Sequence, residues 1–293
     1  MRISTSQIYE NSQRTVQGNY AEYMRWQSRV ASGKKVEKLS DEPGQATTLL
    51  RLRSLKSHIE QYSKNLTVAN DYLKNSERVL TEVSELAQKG YQLAIQGATS
   101  TMDQNSRQAI AGQVAQMQDR LLAIANEKGN SGQFLFAGQK TETQPFTVAS
   151  NALVYNGDTN KVLVETAPGK TLQVNTAASQ TVVNLYAQLE SLKSNLTGGH
   201  IGNLSGIDVP ALESLRQEVT QARSEAGNRL YVVTNQKADN DRRSDDLMEG
   251  ISGIEDVDLA EAVSELKRAE TAYQASLQVA AGTLQLSLLD YLR

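Results

Sequence analysis

Between Leu55 and Gly97 the chain places apolar or small residues at alternating spacings of four and three. The series runs Leu55, Ile59, Tyr62, Leu66, Ala69, Leu73, Ser76, Leu80, Val83, Ala87, Gly90, Ala94 and Gly97, without a skip. Such spacing averages 3.5 residues, the period that keeps one stripe of a helix facing a partner helix. Pro43 marks the start, because proline is tolerated in a first helical turn and pushes Glu42 out of helical geometry. Asp41 and Glu42 add negative charge at the positive end of the helix dipole. The stripe stops at Ala98-Thr-Ser-Thr. A helix over 43–98 is about 85 Å long at roughly 1.5 Å per residue. That length exceeds a compact domain, so the chain must build a long helical rod and find helices to cover it.

Two further helices can do so. One is predicted from near Ser100, with Asp103 near its start, the stripe Ile110, Val114, Met117, Leu121 and Ile124, and Gly129 as a C-cap. Another begins at Asp208-Val-Pro210. It carries Leu212, Leu215, Val219, Ala222, Ala226, Arg229, Val233, Gln236, Asn240, Arg243 and Leu247, a stripe polar enough to be part-buried. At 134 the pattern changes. Ala152–Tyr155, Val162–Val164 and Thr171–Val174 alternate as short strands, separated by Asn156-Gly-Asp and Ala167-Pro-Gly-Lys. A helix around 183–196 and a Gly-rich return linker at 198–206 follow. The expected fold is mainly α: a long antiparallel helical rod or coiled-coil bundle with a small β-rich insertion and paired N- and C-termini. Three divisions follow: a terminal coiled-coil assembly domain from 1–42 with 255–293, a helical rod from 43–133 with 208–254, and an outer β-rich insertion at 134–207.

The ends are amphipathic. Tyr9, Val16, Tyr20, Tyr23 and Val30 fall on heptad positions near the start, with Gln13 and Gln27 filling gaps. Val263, Leu266, Tyr273, Leu277, Ala280, Leu284, Leu288 and Tyr291 form a denser stripe near the finish. Residues 1–60 hold ten Lys/Arg against six Asp/Glu, whereas 245–293 hold three against ten, so the ends suit each other in charge. The N-terminal stripe has too few large side chains to offset the entropy of ordering the segment. These two stripes are therefore expected to pack between molecules, with folding coupled to assembly.

At both ends the residues resemble the flagellin superfamily. The N-terminal part is Arg29-Val-Ala-Ser-Gly-Lys-Lys-Val36, then Ser40-Asp-Glu-Pro-Gly-Gln-Ala46, then the heptad helix with Asn65. The distal part is Asp256-Val-Asp-Leu-Ala-Glu-Ala262, Tyr273-Gln-Ala-Ser-Leu277 and Leu286-Ser-Leu-Leu-Asp-Tyr-Leu292. Gly132-Gln-Phe-Leu-Phe-Ala-Gly-Gln-Lys-Thr141, Pro145-Phe146 and the opening Met1-Arg-Ile-Ser-Thr5 resemble the branch that joins hook to filament; filament subunits usually open differently. Glu42 stands where the family often has Asp. The resemblance implies terminal helices lining a tubular assembly, the rod in the next shell, and the insertion outside. It implies a structural, extracellular protein of the bacterial flagellum, needed for swimming motility and exported by the flagellar type III apparatus. It implies as partners further copies of the chain in a ring, the preceding hook-associated protein, flagellin, and a cytosolic export chaperone on the acidic segment 255–293. A small flagellin and a secreted coiled-coil effector or adhesin remain the alternatives.

Nothing in the sequence favours catalysis, and no cofactor is expected. Without cysteine there are no disulfides and no thiolate chemistry. His58 lies on a helix face and His200 in the Gly-rich linker, far apart in sequence. Asp239-Asn-Asp241 and Asp245-Asp246 alternate with Arg242 and Arg243, the pattern of a solvated, salt-bridged face rather than a metal site. Pro168-Gly-Lys-Thr171 ends like a phosphate loop but has Val164 where the first glycine belongs, and strands where a helix should follow. Lys34, Lys35 and Lys38 form a basic cluster too short, and too poor in aromatics, for nucleic acid. With a net charge of -3, the chain favours no nucleic-acid or anionic-membrane partner. No apolar run reaches the roughly 20 residues of a membrane span, and the N-terminus lacks a Sec-type apolar region.

Overall fold

The computed structural model describes residues 5–36, 38, 42–130, 132–175 and 178–291, with the side chains of 5, 6, 8 and 283–291 left out of the description. The chain forms two compact units, Met1–His58 with Arg243–Arg293, and Ile59–Arg242. Helix α1 (Thr5–Ser32) and helix α7 (Leu259–Tyr291) lie in the first. Helices α2 (Pro43–Gly97) and α6 (Val209–Glu255) run through both.

In the second unit the heptad becomes the core. Leu66, Ala69, Leu73, Ser76, Leu80, Val83, Ala87 and Ala94 are all buried. Helix α3 (Gln104–Ala125) lays Ile110, Val114, Met117, Leu121 and Ile124 against this stripe. A fourth helix, α4 (Ala178–Gly198), adds Val182, Leu185, Leu189, Leu192 and Leu196 to the same core. Helix α6 closes it with Leu212, Leu215, Val219 and Ala226. The small residues in the stripe have a steric purpose. A Cβ at Gly97 would stand 2.4 Å from Leu196 Cδ2, and one at Gly90 would stand 3.0 Å from Leu189 Cδ2. Glycine thus allows the leucines of α4 to sit against the backbone of α2.

The ends of α3 differ from the sequence expectation. The helix starts at Gln104, with Asp103 as its N-cap accepting from the Ser106 amide at 3.2 Å, because Thr99–Asp103 are used to turn the chain. It ends at Ala125, capped by Asn126, not at Gly129. The Asn126 side chain donates to Leu122 O at 3.1 Å and Phe146 O at 2.9 Å, so one amide both caps α3 and seats the insertion. Buried Arg107 donates to Gly97 O at 3.2 Å and Thr99 O at 3.0 Å, placing a cation at the negative end of α2.

The insertion has two antiparallel hairpins. Strands β1 (Phe146–Ala149) and β2 (Ala152–Tyr155) pair through a turn at Ser150 and Asn151, both with positive φ (51° and 64°). Strands β3 (Leu163–Ala167) and β4 (Lys170–Gln173) pair across Gly169, whose φ is 68°. Asn156-Gly-Asp links the hairpins and does not close one. Ahead of them Leu135, Phe136 and Ala137 are buried, and Gly138 has a φ of 67° with space for a Cβ only 2.2 Å from Asp158 O. The Asp158 carboxylate accepts from the Gln139 and Asn160 amides, each at 3.0 Å, and the Gln139 bond first among these holds it below the usual carboxylate range. The run from Phe134 to Gly138 is therefore a plug with one obligatory glycine. The expected return linker is helical: α5 (Ile201–Asn203) and a π-turn at Leu204–Asp208 run into α6. Asp208 is fully buried and accepts from Gln188 (2.7 Å), Ser191 (2.8 Å) and Asn195 (2.7 Å).

The first hairpin is tethered through Glu190, which accepts from Asn151 Nδ2 at 3.2 Å, Gln118 Nε2 at 2.9 Å and Lys193. Burial alone would raise its carboxyl pKa, but the bonds from Lys193 and Gln118 prevail and hold it below the usual range. A lowered carboxylate contributes stability that is complete above the unfolded pKa, about 4.3, and lost as pH falls through the folded one. Amide exchange in β1–β2 is expected to accelerate, relative to α3, as pH falls below about 4. Glu190→Gln should remove that extra acid dependence.

Candidate assembly surface

Helices α1 and α7 pack along each other, and their shared seam follows from residue spacing. On α1 the residues turned inward are Ser12, Val16, Asn19, Tyr23, Trp26 and Val30, again at steps of four and three. On α7 they are Ala262, Leu266, Ala269, Tyr273, Ser276 and Ala280. The Tyr273 ring lies 6.2 Å from Tyr23, near-parallel at 10°, and 5.3 Å from Tyr20. Asn19 Nδ2 donates to Ala272 O at 3.3 Å. Arg29, only 8% exposed, stacks its guanidinium over Trp26 at 4.8 Å. Most of the α7 seam is alanine and serine, so the two helices bury little apolar area against each other.

Of the residues expected to carry assembly, Val16, Tyr23, Val30, Leu266, Tyr273 and Ala280 lie in this seam. Tyr9 (53% exposed), Val263 (54%) and Leu277 (43%) lie outside it, and Tyr20 (48%) touches Tyr273 from the rim. The side chains of Leu284, Leu288 and Tyr291 fall outside the described residues. The heptad expected from the sequence shares every seventh position of α1 with this seam but has Gln13, Tyr20 and Gln27 where Ser12, Asn19 and Trp26 turn inward. Serine and asparagine carry no hydrophobic signal; Trp26, three residues beyond Tyr23, was the available clue. The small residues Ala262, Ala269 and Ser276 were missed for the same reason.

Helix α7 consequently carries two apolar stripes. One is covered by α1. The other includes Leu259 (55%), Val263 and Leu277, and it is uncovered within the described residues. Its neighbours are short-range surface pairs, Lys267–Glu270 at 2.8 Å and Arg268–Glu265 at 2.6 Å, which contribute little to stability.

Below the seam the chain is fastened at the joint between α6 and α7. Asp258 caps α7, accepting from the Ala260 amide at 2.8 Å and the Glu261 amide at 3.3 Å. Lys34 and Asp256 form an isolated antiparallel bridge. The Glu255 carboxylate, its side chain 6% exposed, accepts from Arg53 Nη2 at 2.6 Å and from Lys34 Nζ. The Lys34 bond is the first cause, with Arg53 adding to it against the opposing effect of burial, that holds the Glu255 pKa below the usual range. No group of three or more His, Cys, Asp or Glu suited to a metal occurs among the described residues. No described helix is long and apolar enough to cross a membrane.

Both helical ends of the chain match a known family. Residues 3–141 match the bacterial flagellin N-terminal helical region, and residues 209–292 match the bacterial flagellin C-terminal helical region. Flagellar hook-associated protein 3 of Escherichia coli is 25% identical over 98% of both chains. Its counterpart in Salmonella typhimurium is 29% identical over 67% of this chain and 59% of the relative. A flagellar hook-associated protein of Vibrio parahaemolyticus has the same fold, with a TM-score of 0.68 and 22% identity over 74% of this chain and all of the other. The two flagellin regions together span well over half of the sequence, one at each end, and the chain belongs to the bacterial flagellin family.

Proposed function

We propose that this chain is a structural subunit of the flagellum that sits between hook and filament and seats the first flagellin subunits. The observation that carries the reading is the second apolar stripe of α7, Leu259, Val263 and Leu277, left open after α1 has packed on the first. In a ring or tube of copies that stripe meets a neighbour, and the α1–α7 pair forms the inner layer. End-to-end similarity to hook-associated protein 3 supports the junction over the filament. The buried Leu135–Gly138 plug, within the stretch where sequence resemblance to the junction branch is concentrated, supports it too.

In this reading residues 1–42 and 255–293 are the assembly domain, 43–133 and 208–254 the rod, and 134–207 the outward insertion. The partners are sister copies, the preceding hook-associated protein and flagellin. Before export by the type III apparatus, a cytosolic chaperone covers the acidic segment 255–293. The role is mechanical and non-enzymatic. Deletion tests it: swimming is lost and unpolymerised flagellin accumulates in the medium. Short or absent filaments without that accumulation would favour a small flagellin, and unchanged swimming would favour a secreted effector or adhesin.

A further inference from the structure

Two chain breaks meet at one place. Residues 33–42 join α1 to α2, and 256–258 join α6 to α7. They are tied by three main-chain bonds, Lys35 N to Glu255 O at 2.7 Å, Val36 N to Glu255 O at 3.2 Å, and Val257 N to Gly33 O at 3.0 Å. The same Glu255 turns its buried carboxylate to Lys34 on the link and Arg53 on α2. Its backbone therefore fastens one break to the other, while its side chain fastens both to the first turns of α2. Along the α1–α7 seam above, Asn19 donates to Ala272 O at 3.3 Å and Tyr273 meets Tyr20 and Tyr23, but the α7 side is mostly alanine and serine.

We propose that Glu255 is a positioning residue for assembly, a clasp that holds only the roots of α1 and α7 together in the lone subunit, so that two helices still loose along their length reach a neighbour side by side. The proposal rests on the reading of α7 as the assembly surface. Two segments tethered at adjacent roots find each other at a far higher effective concentration than segments joined only through a long chain. Joining the roots also removes ordering entropy from the docking step. In this scheme the seam can stay thin, because the clasp supplies the register that the seam's alanines cannot.

The test uses the full-length purified subunit. In the monomer, amides 35, 36 and 257 are expected to exchange at least tenfold more slowly than those of α1 and α7, and Glu255→Ala should abolish the difference. Capture of Glu255→Ala by hooks isolated from a deletion strain should need at least tenfold more subunit. Lys34 and Asp256 are the non-hydrogen-bonded pair of the bridge, whose Cα atoms lie within disulfide reach, and the chain has no cysteine of its own. Adding Lys34→Cys and Asp256→Cys to Glu255→Ala should restore capture when oxidised and lose it when reduced. A merely structural defect would not respond to that cross-link. Retained protection in Glu255→Ala, normal capture of that variant, or failure of the oxidised cross-link to rescue would each overturn the proposal. If the unmodified subunit is not captured by hooks, the assembly reading fails instead, and the exchange measurement still decides whether the clasp exists.

Discussion

Leu189→Ala is expected to destabilise the unit formed by Ile59–Arg242 by about 3 kcal/mol. Leu189 is fully buried on α4, and its Cδ2 lies only 3.0 Å from where a Cβ on Gly90 of α2 would be. Truncation removes its transfer free energy and leaves a cavity walled on one side by a glycine backbone, which has no side chain to collapse into the gap. For a unit of this size the loss corresponds to roughly 6–12 °C in melting temperature. Leu163→Ala is the control: Leu163 is 55% exposed on β3, and its removal should change stability by less than about 0.5 kcal/mol. Urea denaturation of both variants checks the pair of values. Equal effects at the two sites would mean that the α2–α4 contact does not hold this unit together.

How much of this was legible depended on side-chain size and on competition between neighbouring phases. The run from Leu66 to Gly97 could be read directly, because one period persisted over many turns and nearly every member was apolar or small. Leu55, at its head, is exposed at 46%, because one register cannot hold where α2 leaves the multi-helix core. The β3–β4 hairpin was announced by Pro168-Gly169. The β1–β2 turn was not, because Ser150 and Asn151 tolerate the left-handed region without the glycine that usually signals it. The clasp left no sequence signal. Lys34, Arg53 and Glu255 are ordinary surface residue types, and only the fold brings positions more than two hundred apart in sequence onto one carboxylate. The α1–α7 seam was half legible: two heptad phases on α1 share Val16, Tyr23 and Val30, and the polar members that separate the phases are invisible to a hydrophobic count.

Val263→Asp combined with Leu277→Asp is expected to leave the isolated subunit as stable as before and to abolish its assembly. Both side chains are about half exposed in the single chain, so a carboxylate there remains solvated and costs almost nothing. In an assembly that buries this stripe, each subunit would carry two carboxylates without partners, at several kcal/mol apiece. Since each 1.4 kcal/mol is tenfold in association, the combined penalty puts assembly out of reach at any practical concentration. Hydrogen exchange separates this from misfolding. In the unmodified monomer, amides in α1 and α7 should exchange much faster than those of 66–94, because the seam of Ala262, Ala269, Ser276 and Ala280 is too slight to hold two helices rigid. On assembly they should become protected. In the double variant the core pattern should be unchanged and the terminal amides should stay in exchange at every subunit concentration. The same physics forbids a middle result: a stripe that neighbours must cover cannot accept two charges and still polymerise, and a stripe already rigid in the monomer has no need of neighbours. Assembly of the double variant, or core-like protection of α1 and α7 in the lone subunit, would place the contact between copies somewhere other than this face of α7.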